Sequence, residues 1–525
     1  MKADNVKIAA YFEELEGKKG DLHDRCEQYA RWTVPSVFPH DDPDNSYTHA
    51  ESEKGNVAIG ARLVNHLAHR IVDTMFPNDR PFFAITLNTD AERTIAKEAE
   101  DEGNDPQAVL QATYAAMSAV ENAAMKGMNL TSYRPVAVNA VIYKIVTGNA
   151  LIRRMDDDSR VVYSVRDYVV RRDISGRVLE VVLRDSKLFS ELSGELRDSV
   201  RAAAYGRGRT IRDEDEVKLY TYFYWKDKKW HQVQAVEDID LDDPDDAVSY
   251  KEADFPCIVM AWNLGRGDHY GRGLVEDYSV SFHNIDVLTS ALIDMIGIAA
   301  DIKFLVDPAS GIDLQDYNEA RRGQFVAGRK DDVSVPEFQF AVQVQVISDN
   351  ISKLERELAQ AFLLQSAGVR DAERVTAEEI RFFAREIESA FGGLYSRLAL
   401  DWQRKEAEYQ LSQIDFDLYL DGGVKAFDVT VTTGLESLSR EGKLDNLRLA
   451  VMDMGMLEAV PEEMRAVINP LKFASFIFRN RTVAAEEFLY TQAEYQQVQQ
   501  QKQQQEQELL AQQGEQAAAT AAMKE

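Results

Sequence analysis

The segment 366–381 constrains the fold most, because a loop of mixed charge runs directly into a strongly signalled helix start. Thr376 and Glu379 have the spacing of a capping box. In this motif the threonine hydroxyl accepts a hydrogen bond from the backbone N–H three residues on, and the glutamate carboxylate accepts one from the threonine N–H. The helix therefore begins at a defined point, and the loop before it is fixed at its exit.

Apolar residues recur at helical spacing after this start, while charged residues occupy the other faces. The apolar positions are Ile380, Phe383, Ala384, Ile387, Phe391, Leu394 and Leu398. At about 1.5 Å per residue, a helix over 376–409 would be roughly 50 Å long. We therefore expect a long amphipathic helix that carries a charged loop at its tip.

Composition excludes several classes of protein. A chain of 525 residues with 45% apolar content can bury a large core and would divide into several domains. Its net charge of −29 argues against an ordinary nucleic-acid binder, which neutralises phosphates with a basic surface. The two cysteines, Cys26 and Cys257, are too few for a disulfide framework. The apolar run 288–300 is broken by Asp294 and is too short to span a bilayer, so we expect a soluble protein.

The pattern along the chain changes from helical to β-rich and back. Helices are predicted at 6–17, 22–33, 57–75, 90–128 with breaks, and 132–147. Strands are predicted at 161–165, 178–183, 219–225 and 258–261. A glycine-rich, hinge-like loop at 265–273 precedes a helix at 275–300, a mixed segment at 303–347 and a second helix at 348–365. Further helices are predicted at 444–479, and the Gln- and Ala-rich tail from 492 onward lacks an apolar face.

Several sequence blocks, in this order, resemble the portal (head-to-tail connector) proteins of T7-like short-tailed phages. The blocks are 29–39, 60–68 with Phe76 and Pro77, 132–134, 148–151, 373–381, 392–396 and 433–436. The resemblance covers roughly residues 29–440 and is collinear, which makes it far more specific than any one block.

The resemblance implies an α+β, predominantly helical portal fold with wing, stem, clip and crown, forming a ring with a central channel. The wing would be 1–273, with a β-rich part at 150–262, and the first stem helix 274–300. The clip would be 301–347 and the second stem helix 348–365. The remaining segments would be a tunnel loop at 366–375, a long wing helix and return at 376–440, a crown at 441–490 and a mobile tail at 491–525.

The resemblance also implies a function and partners. Twelve copies would form a ring at the unique capsid vertex, nucleate head assembly, and conduct double-stranded DNA during packaging and ejection. The terminase large subunit would dock first and a tail adaptor protein later, with scaffolding and major capsid proteins as further partners. The protein would lie in the virion, at the head-tail junction, after assembly in the host bacterial cytoplasm. No cofactor, metal, membrane contact or ATP chemistry is implied.

Candidate site residues follow from the charges in these segments. The tunnel-loop residues Arg370, Asp371, Glu373 and Arg374 nearly cancel in charge and would hold phosphates loosely. Without the resemblance, a surface loop with paired charges would be the better interpretation. Lys353 and Arg356 lie one turn apart and could line the channel, although pairing with Glu355 or Glu357 is a comparable alternative. A basic cluster in the clip could dock a partner or a neighbouring subunit. Its residues are Arg321, Arg322, Arg329 and Lys330.

Other motifs give weak support to rival functions. The glycines of 55–60 have P-loop spacing, but Ala61 and Arg62 replace the required lysine and hydroxyl residue. His66 and His69 lack a third metal ligand at supporting spacing. The acidic runs 156–158 and 242–246 could gather magnesium in a DNA-processing enzyme, which is the main alternative function. Another ring-forming virion component, such as a tail adaptor or scaffold, is the second alternative.

Overall fold

The computed structural model of the protein describes residues 7–38, 57–77, 81–131, 133–155, 158–206, 208, 210–241, 247–300, 305–307, 315, 319, 333–334, 341–364, 389, 397–414, 419–420, 424–425, 427–431, 448–449, 451–455 and 470–480. The chain divides into two units, Met1–Gly434 and Leu435–Glu525. Among the described residues, no helix is long and apolar enough to cross a membrane.

Helices and antiparallel strands alternate through the first unit. Its helices are α1 (Ile8–Gly17), α2 (Leu22–Trp32), α3 (Ile59–Met75), α4 (Thr89–Asp101), α5 (Pro106–Leu130), α6 (Tyr133–Thr147), α7 (Gly194–Gly206), α8 (Leu274–Asp277), α9 (Ser279–Ala300), α10 (Ala341–Ala361) and α11 (Arg404–Gln413). Its strands are β1 (Phe83–Leu87), β2 (Asn149–Arg154), β3 (Arg160–Tyr163), β4 (Tyr168–Arg172), β5 (Val178–Leu188), β6 (Glu216–Lys226), β7 (Lys229–Val236), β8 (Ile239–Asp240), β9 (Val248–Tyr250), β10 (Cys257–Ala261), β11 (Leu305–Val306), β12 (Val333–Ser334), β13 (Tyr419–Leu420), β14 (Val424–Lys425) and β15 (Phe427–Val431). The predicted α+β, predominantly helical class is confirmed.

The predicted break within 90–128 falls between α4 and α5, and local chemistry explains it. The side chain of Asp105 accepts a hydrogen bond from the backbone N–H of Gln107 (3.1 Å), and Pro106 occupies the first helical position. Both residues favour a helix start, because the carboxylate satisfies an unpaired N–H and proline has none to satisfy.

The six-stranded sheet is buried on both faces. Its order is β4-β5-β6-β7-β8, with β9 also paired to β7. On β5, Val181 belongs to the main core, while its neighbour Val182 packs with α1 residues such as Phe12. Successive side chains of a strand point to opposite faces, so a continuous apolar run serves two cores. The smaller sheet β10-β2-β3 contributes to the main core.

Helix α7 was not predicted within the β-rich segment. Its residues Val200 and Ala204 pack against Val217 and Val236 of the six-stranded sheet in a small separate core. The apolar residues of this helix are few, and its stability comes from burying one narrow face on the sheet.

The second of the two helices was predicted at 348–365, but α10 begins earlier, at Ala341. Val342, Val344 and Val346 alternate with glutamines, a pattern typical of strands. The C-terminal end of α10 also comes earlier than predicted, because Leu363 adopts a left-handed conformation (φ 58°). The N–H of Leu364 then bonds to the carbonyl of Ala359 (2.7 Å), as in a Schellman cap.

A buried glycine junction joins the small sheet to the start of α8. Gly148 has a φ of 77°, and an added Cβ there would lie 2.5 Å from the carbonyl oxygen of Gly271 and 2.5 Å from the nitrogen of Gly273. The side chain of Asn149 closes the contact: its Nδ2 donates to the Gly271 carbonyl (3.0 Å), and its Oδ1 accepts from the Gly271 N–H (2.8 Å). The C-terminal end of the predicted hinge-like loop is thus tightly packed.

The helix before β13 contains a wide π turn at Ala399–Gln403, followed by α11. The turn directs Trp402 and Gln403 into the core, where the indole N–H donates to the Tyr133 hydroxyl (2.7 Å). One turn later, the carboxylate of Glu406 receives a hydrogen bond from the buried guanidinium of Arg160 on β3 (2.7 Å). This ion pair fastens the helix to the small sheet.

The second unit is helical where it is described, at 448–449, 451–455 and α12 (Pro470–Asn480). Ala474 and Ile477 of α12 are buried. These segments agree with the prediction of further helices at 444–479, with α12 ending one residue later.

Replacing Gly148 with alanine is expected to lower the free energy of unfolding by about 2–5 kcal/mol, because a left-handed conformation and backbone overlap both penalise a Cβ. Gly103→Ala is the matched control, since Gly103 has a φ of 79° but no atom within 4 Å of the added Cβ. It should lose about 1–2 kcal/mol. Chemical denaturation of both variants measures the difference, and equal losses would contradict the packing argument.

Glu406→Gln should destabilise the protein by about 3–5 kcal/mol, because it leaves the buried Arg160 charge without its partner. Glu408→Gln, which removes a surface pair with Arg404 (3.0 Å), should cost about 0–1 kcal/mol. Thermal unfolding at neutral pH compares the two. A small loss for Glu406→Gln would show that the ion pair is not needed to hold the helix.

Candidate functional site

Helices α9 and α10 form an antiparallel pair whose inner ends are anchored in the main core. Phe282, near the start of α9, stacks with Trp32 (ring centroids 6.5 Å apart) and meets Phe362, just beyond the end of α10, edge-to-face (5.9 Å). Further out, Val287 of α9 and Lys353 of α10 line one groove. The start of one helix therefore lies beside the end of the other.

Polar contacts reinforce this anchor. The indole N–H of Trp32 donates to the carboxylate of Asp286 on α9 (3.4 Å). The guanidinium of Arg25 on α2 donates to Glu276 on α8 (2.7 Å). Together with the glycine junction, they fix the direction in which α9 leaves the core.

The outer halves of the two helices expose aliphatic side chains. Beyond Ile285, none of the described residues of α9 is buried. The large aliphatic side chains concerned are 51% to 72% exposed: Val287, Ile293, Ile296, Ile298, Val342 and Val346. Exposed apolar side chains concentrated in this way are typical of interaction surfaces. We call these six residues the aliphatic surface.

On α9 the aliphatic surface occupies opposite faces. Val287 and Ile298 are eleven residues apart, close to three whole turns, and share a face. Ile296 is nine residues after Val287, which is two and a half turns, and lies on the opposite side. The helix is therefore suited to contacts on two sides.

The charges of the pair are sparse and mainly acidic. Helix α9 contains Asp286 and Asp294 but no lysine or arginine. On α10 the charged residues are Asp349, Lys353, Glu355, Arg356 and Glu357. The two helices together carry five carboxylates and two cations. Their net negative charge repels phosphates more than the two cations attract them.

Lys353 and Arg356 are the two predicted channel residues that the structure describes. Both are exposed, and their side chains make different contacts. Lys353 lines a cavity of about 410 Å³ between the helices, together with His283 and Glu357. The Nε of Arg356 donates to the Ser352 carbonyl of its own helix (3.1 Å). Neither cation forms an ion pair with a described residue, so the alternative of pairing with Glu355 or Glu357 is not observed.

The other predicted site residues lie outside the described part of the chain. They are Arg370, Asp371, Glu373 and Arg374 of the loop, and Arg321, Arg322, Arg329 and Lys330 of the clip cluster. The capping residues Thr376 and Glu379 lie outside it as well.

The possible metal ligands are not arranged as a site. His66 lies in α3, where burial and the charges of Arg70 and Arg62 lower its pKa. Within the described ranges, no group of three His, Cys, Asp or Glu side chains could hold a metal ion.

Sequence reasoning missed the aliphatic surface, although its signal was present. The run 288–300 is predicted as part of a helix at 275–300 and is too short, and broken by Asp294, to span a membrane, but its apolar side chains were not interpreted as an interaction surface. In a helix, the apolar side chains of this run lie on more than one face. A helix that packs one face on a core and turns the other to water has apolar residues on one face only.

Comparison with known proteins identifies the family. Residues 5–413 match the family described as bacteriophage head to tail connecting protein. The portal protein of Pseudomonas phage phiKMV is 34% identical over 438 residues, covering 82% of each chain. The portal protein of Enterobacteria phage SP6 is 28% identical over 494 residues (94% of this chain, 91% of the relative), and that of Escherichia phage T7 is 29% identical over 449 residues (84% and 80%).

These matches confirm the resemblance to portal proteins of T7-like phages. They give no support to a metal-dependent enzyme, because all three relatives are named portal proteins. The chain therefore belongs to the family of bacteriophage head-to-tail connecting proteins, and it is a connector rather than an enzyme.

Proposed function

We propose that this connector works as a closed ring, of twelve copies by analogy with its family, around a channel bounded by α9 and α10. The observation that carries the proposal is the aliphatic surface. Its members on α9 lie on opposite faces of that helix, and a subunit of a cyclic ring has a neighbour on each side. Covering apolar area from water contributes about 25 cal/mol per Å², which favours association of the helices of adjacent copies.

The electrostatics of the helix pair suit a conduit for DNA. A wall with five carboxylates and two cations per copy repels phosphates on balance, so that DNA would pass without binding tightly. The large negative charge of the whole chain acts in the same direction. Lys353 and Arg356 would then offer isolated points of contact rather than a continuous basic track.

The loop 366–375 would form the constriction of this channel. Arg370 and Arg374 are its only cations, and Asp371 and Glu373 offset them. The capping box at Thr376 and Glu379 would hold the loop at its exit while its tip contacts the DNA backbone.

The segment between α9 and α10 would be the clip, now bounded by Ala300 and Ala341. Its basic cluster, Arg321, Arg322, Arg329 and Lys330, would dock the terminase large subunit during packaging and the tail adaptor protein afterwards. The sheets and helices before α8 would be the wing, and the segments of the second unit the crown.

This ring would assemble in the host cytoplasm and nucleate the head together with scaffolding and major capsid proteins. In the virion it would remain at the head-tail junction, first as the entry for the genome and later as its exit. The DNA contacts would be independent of sequence, because the channel reaches only the phosphate backbone.

Ile293→Glu together with Ile296→Glu is expected to abolish ring formation, since two buried and unpaired carboxylates would cost several kcal/mol at each interface. Leu130→Glu is the control, because Leu130 is an exposed aliphatic residue (82%) at the end of α5, outside the aliphatic surface. Sedimentation velocity and end-on electron micrographs report the assembly state. Rings formed equally by both variants would refute the proposed interface.

Arg370→Ala with Arg374→Ala should reduce the amount of DNA packaged or retained in particles, because the loop would keep only its carboxylates. The charge-matched control is Arg93→Ala with Lys97→Ala, two exposed residues of α4. Complementation of a phage that lacks the connector, followed by measurement of encapsidated DNA, tests the difference. Unchanged packaging and retention would show that the loop does not contact DNA.

A further inference from the structure

A concavity of about 640 Å³ lies between the two larger sheets and the helix that contains the π turn, and among the charged residues of its wall the cations outnumber the carboxylates. The cations are Arg154, Arg172, Arg177, Arg266, Arg397 and Lys405. The carboxylates that line it are Glu252 and Asp401. We call this concavity the cationic pocket.

The cationic pocket is unexpected in a chain with a net charge of −29. Its six cations come from β2, β4, two loops and the helix around the π turn. They are far apart in the sequence, where no basic cluster indicates that they meet. None of its lining residues belongs to α9 or α10. The pocket is thus separate from the helix pair that bounds the proposed channel.

Most of the positive charge is not neutralised by the protein. Glu252 pairs with Arg177 at 3.3 Å. By contrast, none of the remaining outer cations, Arg266, Arg397 and Lys405, has an ion pair with a described residue. Four more cations than carboxylates line the wall, and this excess favours an anionic ligand.

Neutral groups orient the two inner arginines. Arg172 donates to the carbonyls of His269 (3.2 Å) and Gly176 (2.9 Å). Arg154, which is 8% exposed, donates to the carbonyl of Phe255 (2.8 Å), and its guanidinium carbon lies 3.3 Å from the centre of the Tyr409 ring. Its Nε has no hydrogen-bond partner. These contacts fix the guanidinium groups without cancelling their charge.

Burial opposes the charges that are held here. Burial lowers the pKa of Arg172, and nearby Arg397 acts in the same direction, whereas Asp401 opposes the shift. Lys144, buried on α6 near Asp401, Arg397 and Arg172, has a pKa lowered to about 7, mainly by burial. An anion in the pocket would relieve this accumulation of like charge.

We propose that the cationic pocket binds a small multivalent phosphate, of the size of inorganic triphosphate or the phosphate chain of a nucleotide. Guanidinium groups match phosphate oxygens in a bidentate geometry, and three or more of them can share one polyphosphate. The volume suits a small ligand, whereas a duplex is too wide to enter it. Such a ligand would bridge the sheets and the helix, and would stabilise their packing by mass action.

Calorimetric titration of the purified full-length protein with inorganic triphosphate, at constant ionic strength set with sodium chloride, tests the proposal. We expect one saturable site per chain and a higher unfolding temperature in the presence of the ligand. Arg397→Gln with Lys405→Gln should weaken binding at least tenfold. Because both side chains are exposed, the variant should fold, with an unchanged or higher unfolding temperature when no ligand is present.

Arg404→Gln is the matched control, since Arg404 is adjacent to Lys405 but pairs with Glu408 outside the pocket. It should leave triphosphate binding unchanged. Absence of saturable binding, or equal affinity in the double variant and the control, would overturn the proposal. Stronger binding of a glutamate-rich peptide than of triphosphate would overturn it too, and would identify the pocket as a docking site for an acidic polypeptide.

Discussion

The close approach of backbone at Gly148, Gly271 and Gly273 is the constraint on which the arrangement of the first unit depends. No side chain fits between these segments, and the amide of Asn149 satisfies the peptide groups that they bury. The contact joins the end of α6 and the small sheet to the start of α8. The direction of the helix pair is thereby determined by peptide groups, which cannot adjust as side chains can.

The helix pair combines a fixed inner end with an unsatisfied outer end. Phe282 and Phe362 are fully buried, whereas the side chains of the aliphatic surface are 51% to 72% exposed in the single chain. In the proposed ring, neighbouring copies would cover this outer end. The packed inner end would limit the conformational entropy that association must overcome.

Amphipathic periodicity sufficed to predict α3, because one apolar face of this helix packs on the main core. Helix α6 was predicted as well, although it is buried on nearly all sides rather than on one face. Periodicity failed at the start of α10, where valines alternate as in a strand, and it gave no sign of α7. The cationic pocket could not be predicted at all, since Arg154 and Lys405 are brought together only by tertiary packing. Charge clusters that are local in sequence were found readily, but the cluster that the fold builds was not.

The π turn at Ala399–Gln403 has a consequence for the angular phase of the helix around it. On a regular helix, Arg397 and Lys405, eight residues apart, would be nearly a quarter turn out of line. The wider turn between them advances less per residue and takes up this offset. Both side chains can therefore reach the same pocket, while Trp402 and Glu406 still face the core. Because of this one irregular turn, a single helix places some side chains in the core and two cations in the same pocket, which a regular helix would not do.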